Sequence, residues 1–186
     1  MRKVLAFLLL PVLLLGCSAA PPAAGQPPAV VPDARFNATD VAWLQLADAL
    51  HARALPLLRL APEHAARRPL ADLAVRLAGR HESGRGRLQE LLSQAGVTGE
   101  NPHAQHDMPG MPTADALREL TGLRDEAFDR RFGTLLRAYL DQLVLVAKGE
   151  QSAGGDREVR ELAASMERDH AAELAELDRI GAGPAR

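Results

Sequence analysis

Cysteine is nearly absent: Cys17 is the only one in 186 residues, so no intramolecular disulfide can form and packing must hold the folded part together. Aromatic residues make up 3% of the chain, too few for a base-stacking surface, and a formal net charge of -2 supplies no basic face for phosphate backbones. Nucleic acid is therefore not an expected partner. β-Branched residues are sparse and apolar positions recur at three and four rather than at two, which argues against strands. No apolar run reaches the roughly 20 residues that cross a hydrocarbon core. A Gly-rich phosphate loop, a His-Glu-x-x-His zinc motif and a nucleophile beside a base are all missing, so no enzyme is expected.

The N-terminus is informative. Arg2 and Lys3 precede an apolar stretch from Val4 to Leu15, interrupted by Pro11 and followed by Gly16-Cys17-Ser18. A positive n-region, an h-region of about a dozen residues and a small residue before the cleavage point define a secretory signal, expected over 1–16. Leu14-Leu15-Gly16-Cys17 resembles the bacterial lipobox. That resemblance implies that Cys17 becomes the first mature residue and carries a thioether-linked diacylglycerol and a further acyl chain; two or more chains anchor stably where one does not. A plain secretory signal would export the chain as well. Residues 17–35 are rich in Pro and Ala with almost no charge, the composition of a flexible tether. The expected location is outside the cytoplasm, held by lipid to the outer face of the cell membrane or in the periplasm-facing envelope. The bilayer is then one partner, through acylated Cys17, and an envelope protein a second candidate.

Residues 36–181 read as one all-α domain. Asn37 or Thr39 should cap a first helix that Pro62 ends near Leu60, with a kink at Pro56. Pro69 suits the first position of a second helix running to about Ala95, loosened at Gly84 and Gly86. A loop to Pro112, a short helix capped by Thr113, and two long helices over about 125–148 and 156–180 follow, the last two separated by Gly154-Gly155. An offset of 89 residues lays the second half on the first: Asp40 on Asp129, Trp43 on Phe132, Leu73 on Leu162, His81 on His170, Leu91 on Ile180. The domain is thus expected to be a duplicated helical hairpin, with repeats over about 38–95 and 125–181, folded into a four-helix bundle with a short helix in the central connection.

Two clusters carry candidate chemistry. His81 and His170 fall on the apolar stripes of their helices, His51 on the inward side of the first helix, and Glu173 lies one turn after His170. A buried imidazole must satisfy two ring nitrogens with polar side chains, water or a metal ion, so these four are candidate ligands near the bundle axis. A hydrogen-bonded or partly exposed histidine pair is the simpler alternative. The second cluster is the loop 102–112, with His103, His106, Met108 and Met111, half of the chain's four methionines. Imidazole with thioether suits soft copper(I) or silver(I); the alternative is a Pro-Gly turn whose methionines cap the core.

The stretches Phe36-Asn37-Ala38-Thr39-Asp40-Val41, His106-Asp107-Met108-Pro109-Gly110-Met111 and Phe128-Asp129-Arg130-Arg131-Phe132 resemble the domain of unknown function 305 family, over about residues 36–178. The resemblance implies an exported, ferritin-like four-helix fold, with copper binding in some members. It also implies a His-His pair in the first and third helices and a Gln followed three residues later by Glu in the second and fourth. This chain has Leu50-His51 and Tyr139-Leu140 at the paired positions, His81 and His170 at the Gln positions, and Gly84 at one Glu position, with Glu173 at the other. Two functions are expected from this pattern: copper handling through the rebuilt set His51, His81, His170 and Glu173 with the loop His103, His106, Met108 and Met111, or a structural or protein-interaction lipoprotein whose metal site has eroded. A di-metal oxidase would need Glu-x-x-His on two helices, and only Glu167-x-x-His170 fits.

Overall fold

The computed structural model describes residues 35–182; the signal-like segment, Cys17 and most of the tether lie outside the described residues. Among the described residues five helices follow one another: α1 (Ala38–His64), α2 (Arg68–Gln94), α3 (Ala114–Thr121), α4 (Asp125–Ala153) and α5 (Arg157–Ala182). Among the described residues there is no strand, only an isolated Ala65–Asp125 bridge. α1 packs along α2 and α4 along α5 as two hairpins, α1 lies against α4 to join them, and α3 sits against α1 and α4. The protein is all-α and bundle-like.

Local chemistry sets the helix ends. Asn37, not Thr39, caps α1: its side chain accepts from the N–H of Thr39 at 2.8 Å and of Asp40 at 3.0 Å, while the Asp40 carboxylate accepts from the Asn37 N–H at 2.6 Å. Thr113 caps α3 as expected, accepting from the Ala116 N–H at 3.1 Å. Other expectations fail. α1 does not stop near Leu60 but runs through Pro56 and Pro62 to His64, burying Leu57, Leu58, Ala61 and His64. A proline removes one intrahelical hydrogen bond, and burial of this apolar face outweighs that loss. α2 runs to Gln94 with Ala95 as its C-cap, as expected, continuous through Gly84 and Gly86 with Leu88, Leu91 and Leu92 buried, whereas α4 runs past Lys148 to Ala153, with Glu150 also buried.

The repeat is visible in the hydrogen bonds. Asp129 accepts from the N–H groups of Ala66 and Arg67, both at 3.1 Å, just ahead of α2. Asp40 accepts from those of Gly155 at 3.0 Å and Asp156 at 3.1 Å, just ahead of α5. Adding 89 to 66 and 67 gives 155 and 156, the offset that relates Asp40 to Asp129. Each hairpin's first helix thus caps the second helix of the other hairpin. The core falls into two apolar clusters, one with Leu58, Phe128, Phe132 and Tyr139, the other with Trp43, Leu44, Leu88 and Val159. His81 and His170 lie between the parts of α2 and α5 that serve each cluster.

Candidate functional site

His51, His81 and His170 meet in the bundle interior, exposed by 2%, 1% and 5%. The rings of His51 and His81 stack, with centroids 4.2 Å apart and planes 11° from parallel. His170 stands nearly perpendicular to both, its centroid 5.9 Å from His51 and 5.7 Å from His81. Burial first, then the other two histidines, pushes His51 well below the usual imidazole range, and burial followed by the His170 charge lowers His81 to about 3. Both rings are therefore neutral at physiological pH, the form that keeps a lone pair for a ligand.

The partners of the three rings differ. His81 Nε2 is hydrogen-bonded to Tyr139 Oη at 2.8 Å, and burial raises the phenol pKa well above its usual value, so Tyr139 keeps its proton. His170 Nδ1 lies 2.8 Å from Glu173 Oε2, and the other Glu173 oxygen accepts from Arg80 Nη1 at 2.6 Å. A carboxylate paired with a guanidinium accepts, so Nδ1–H of His170 donates to Glu173 and Nε2 faces away from it. This carboxylate-imidazole arrangement is the one that orients metal-ligating histidines. His170 Nε2 and both nitrogens of His51 are buried without a hydrogen-bond partner.

These orphaned atoms test whether the residues fit a metal ion. Nitrogen ligands sit about 2.0–2.1 Å from a metal, so two imidazoles sharing one ion have centroids up to about 6.4 Å apart. The separations of 5.9 and 5.7 Å fall within that limit. The stacked His51 and His81 cannot aim at one ion, because their lone pairs lie in nearly parallel planes. His81 also uses Nε2 on Tyr139, leaving His51 and His170 as the pair with unpartnered nitrogens at a ring separation within that limit. Among the described residues no three or more His, Cys, Asp or Glu side chains are arranged to hold a metal ion. The four-ligand centre of His51, His81, His170 and Glu173 is thus not assembled: Glu173 stands behind His170, bonded to its far nitrogen.

The loop is fixed beside this level of the bundle. Met108-Pro109-Gly110-Met111 forms a turn closed by Met111 N–H to Met108 C=O at 3.0 Å, with Gly110 at φ 79°. A Cβ on Gly110 would lie 2.8 Å from the Ala138 carbonyl, so glycine lets the loop touch α4. Arg53, two residues past His51, donates to the Pro112 carbonyl at 3.3 Å and pairs with Asp107. Met111 is buried in the apolar core and Met108 packs partly buried against it, as a core cap would. His103 is half-buried and His106 exposed. No hydrogen bond or ring contact among the described residues joins the loop side chains to the three histidines.

The family profile described as "Domain of unknown function (DUF305)" matches residues 38–180. The chain belongs to the DUF305 family. A DUF305 fragment from Deinococcus radiodurans superposes with a TM-score of 0.68 at 21% identity, over 78% of this chain and 97% of that one. A DUF305 protein from Streptomyces coelicolor, described as secreted, gives 0.67 at 18% identity, over 80% and 97%. No curated protein matches the chain. Within this DUF305 bundle, Gly84 stands where the resemblance implies Glu, and a Cβ there would lie 3.4 Å from His51 Cε1. A Cβ at 84 would be in ordinary van der Waals contact with the His51 ring. Sequence reading missed the partners Arg80 and Tyr139; Arg80 precedes His81 directly, and Tyr139 precedes Leu140, the repeat counterpart of His51. No helix among the described residues is long and apolar enough to cross a membrane.

Proposed function

We propose that this chain is a membrane-tethered lipoprotein of the cell envelope that buffers or passes on copper as Cu(I), with His51 and His170 as the core ligand pair. The carrying observation is the set of buried imidazole nitrogens without partners, His51 Nδ1 and Nε2 and His170 Nε2, on uncharged or carboxylate-oriented rings. Two imidazoles suit a soft monovalent ion and leave a divalent ion under-coordinated. The exposed His106 and half-buried His103 and Met108 would supply a surface station where the ion is first held. The tether rests on the lipobox-like Leu14-Leu15-Gly16-Cys17.

Anaerobic titration of the full chain with Cu(I) against a chromophoric competitor tests this reading. We expect one tight site that His51→Ala/His170→Ala abolishes and that Glu173→Gln weakens about 10- to 100-fold through loss of ring orientation. His106→Ala should slow loading and leave the final occupancy unchanged. Binding no tighter than weak surface association would favour the second reading, a protein-interaction bundle, which the lack of a three-ligand group among the described residues supports. For the tether, Cys17→Ser should shift the chain from the detergent phase to the aqueous phase; an unchanged partition would overturn lipidation.

A further inference from the structure

The repeat makes each half of the bundle a template for the other, and the halves diverge at one groove. It encloses about 620 Å³ beside the beginnings of α2 and α4 and the end of α5, and Leu70, Leu177 and Ile180 line it. Their counterparts at the 89-residue offset are Val159, Leu88 and Leu91, each 0% exposed and clustered with Leu44 and Phe36. The counterpart of Leu44 is Gly133, and that of Phe36 is Asp125. Two apolar side chains that seal one half are therefore missing from the other. A Cβ built on Gly133 meets nothing within 4 Å.

The charge pattern is inverted as well. In the sealed half the Arg35 guanidinium lies 4.3 Å above the Phe36 ring and its Nε is 3.0 Å from the Asp156 carboxylate, so that half is covered by an aromatic ring joined to a cation. Asp156 corresponds to Arg67, Asp48 to Arg137 and Val41 to Arg130, all three of which line the open groove. Arg130 is exposed and pairs with no acid among the described residues, while Arg137 pairs with the largely exposed Asp178. Two acids line it beside these three arginines: Asp129 is already bonded to the N–H groups of Ala66 and Arg67, and Glu126 is exposed at the rim, so the cations remain in excess. The occupant that complements this groove has an apolar body and an anionic head. The chain enters the described fold at Arg35, at the other end of α1, a helix of 27 residues and so about 40 Å long, which favours a freely diffusing ligand over a bilayer lipid.

We propose that this groove binds a free fatty acid, its alkyl chain over Leu70, Leu177 and Ile180 and its carboxylate at Arg130. Groove volumes of about 300–1,000 Å³ are the usual range for ligands of this size. The test is calorimetric and NMR titration of the full chain with dodecanoate below its micelle concentration. The expected result is saturable binding with amide shifts at Gly133 and Gly181. Dodecyltrimethylammonium, with the same tail and the opposite charge, should bind at least about tenfold more weakly, and Arg130→Glu should weaken dodecanoate by a similar factor. Gly133→Leu restores the side chain of the other half; it should keep or raise the melting temperature and abolish binding. Absence of saturable dodecanoate binding, equal binding of the cationic probe, or full binding by folded Gly133→Leu would each overturn the proposal. So would binding to anionic phospholipid vesicles without binding of monomeric dodecanoate.

Discussion

At the scale of single residues, the interior holds titratable groups that oppose one another in pH. His81 titrates near 6.5 in an unfolded chain and at about 3 here, because burial disfavours its charged form. Between those values the unfolded chain binds the extra proton, so the stability of the metal-free protein is full above about pH 6.5 and falls as pH drops toward 3. His51, lowered for the same reason, adds to the loss. Replacing His51 with Leu removes two unpartnered buried nitrogens; it should stabilise the metal-free chain by about 1–3 kcal/mol at pH 7 and flatten the acid limb in urea titrations. A destabilised His51→Leu would mean that those nitrogens are already satisfied. Glu150 behaves in the opposite sense: burial, then the neighbouring Asp40 carboxylate, raises it to about 8. Its protonated form is favoured on folding, so its contribution is full below about pH 4.5 and is lost as pH rises through 8. Glu150→Gln should hold stability between pH 7 and 9 where the parent chain loses about 1–3 kcal/mol, as read from paired denaturation curves.

At the scale of elements, the exchange of caps between hairpins is the device that orients the bundle. α2 has no side-chain cap of its own at the N-cap position, while α5 is capped by Asp156, which accepts from the Val159 N–H at 3.0 Å. The orphan N–H groups ahead of α2 are taken by Asp129 from α4, and those ahead of α5 by Asp40 from α1. Asp129→Ala should therefore destabilise by about 1–2 kcal/mol, and amide exchange should quicken first at Ala66 and Arg67. Protection left unchanged there would show that water replaces the carboxylate without loss. The turn before α5 adds a steric condition, because a Cβ on Gly154 would lie 2.7 Å from the Glu150 carbonyl.

At the scale of the whole molecule, two apolar clusters flank a polar waist of three histidines, and one end of the bundle is left open where the repeat has lost its covering side chains. Much of this was legible beforehand. The 89-residue offset predicted the paired hairpins, the Asn37 and Thr113 caps were readable from their side chains, and the stripes of α2 and α5 placed His81 and His170 inward. The end of α1 was misjudged because a proline propensity, worth about 3 kcal/mol, was weighed without the tertiary burial that exceeds it. The four-ligand centre was misjudged because helical spacing gives a residue's face but not the rotamer that turns Glu173 to the far side of His170.

The amino-acid sequence by itself determined the helical class, the duplication and the inward histidines, since periodicity and local motifs depend only on residues near one another in the chain. Only the tertiary structure decided which ring nitrogens are open, that Arg80 and Tyr139 hold the histidines, and that Gly133 leaves a groove where Leu44 seals its counterpart. Those outcomes depend on contacts between side chains far apart in sequence, where fractions of an ångström separate a hydrogen bond from a vacancy.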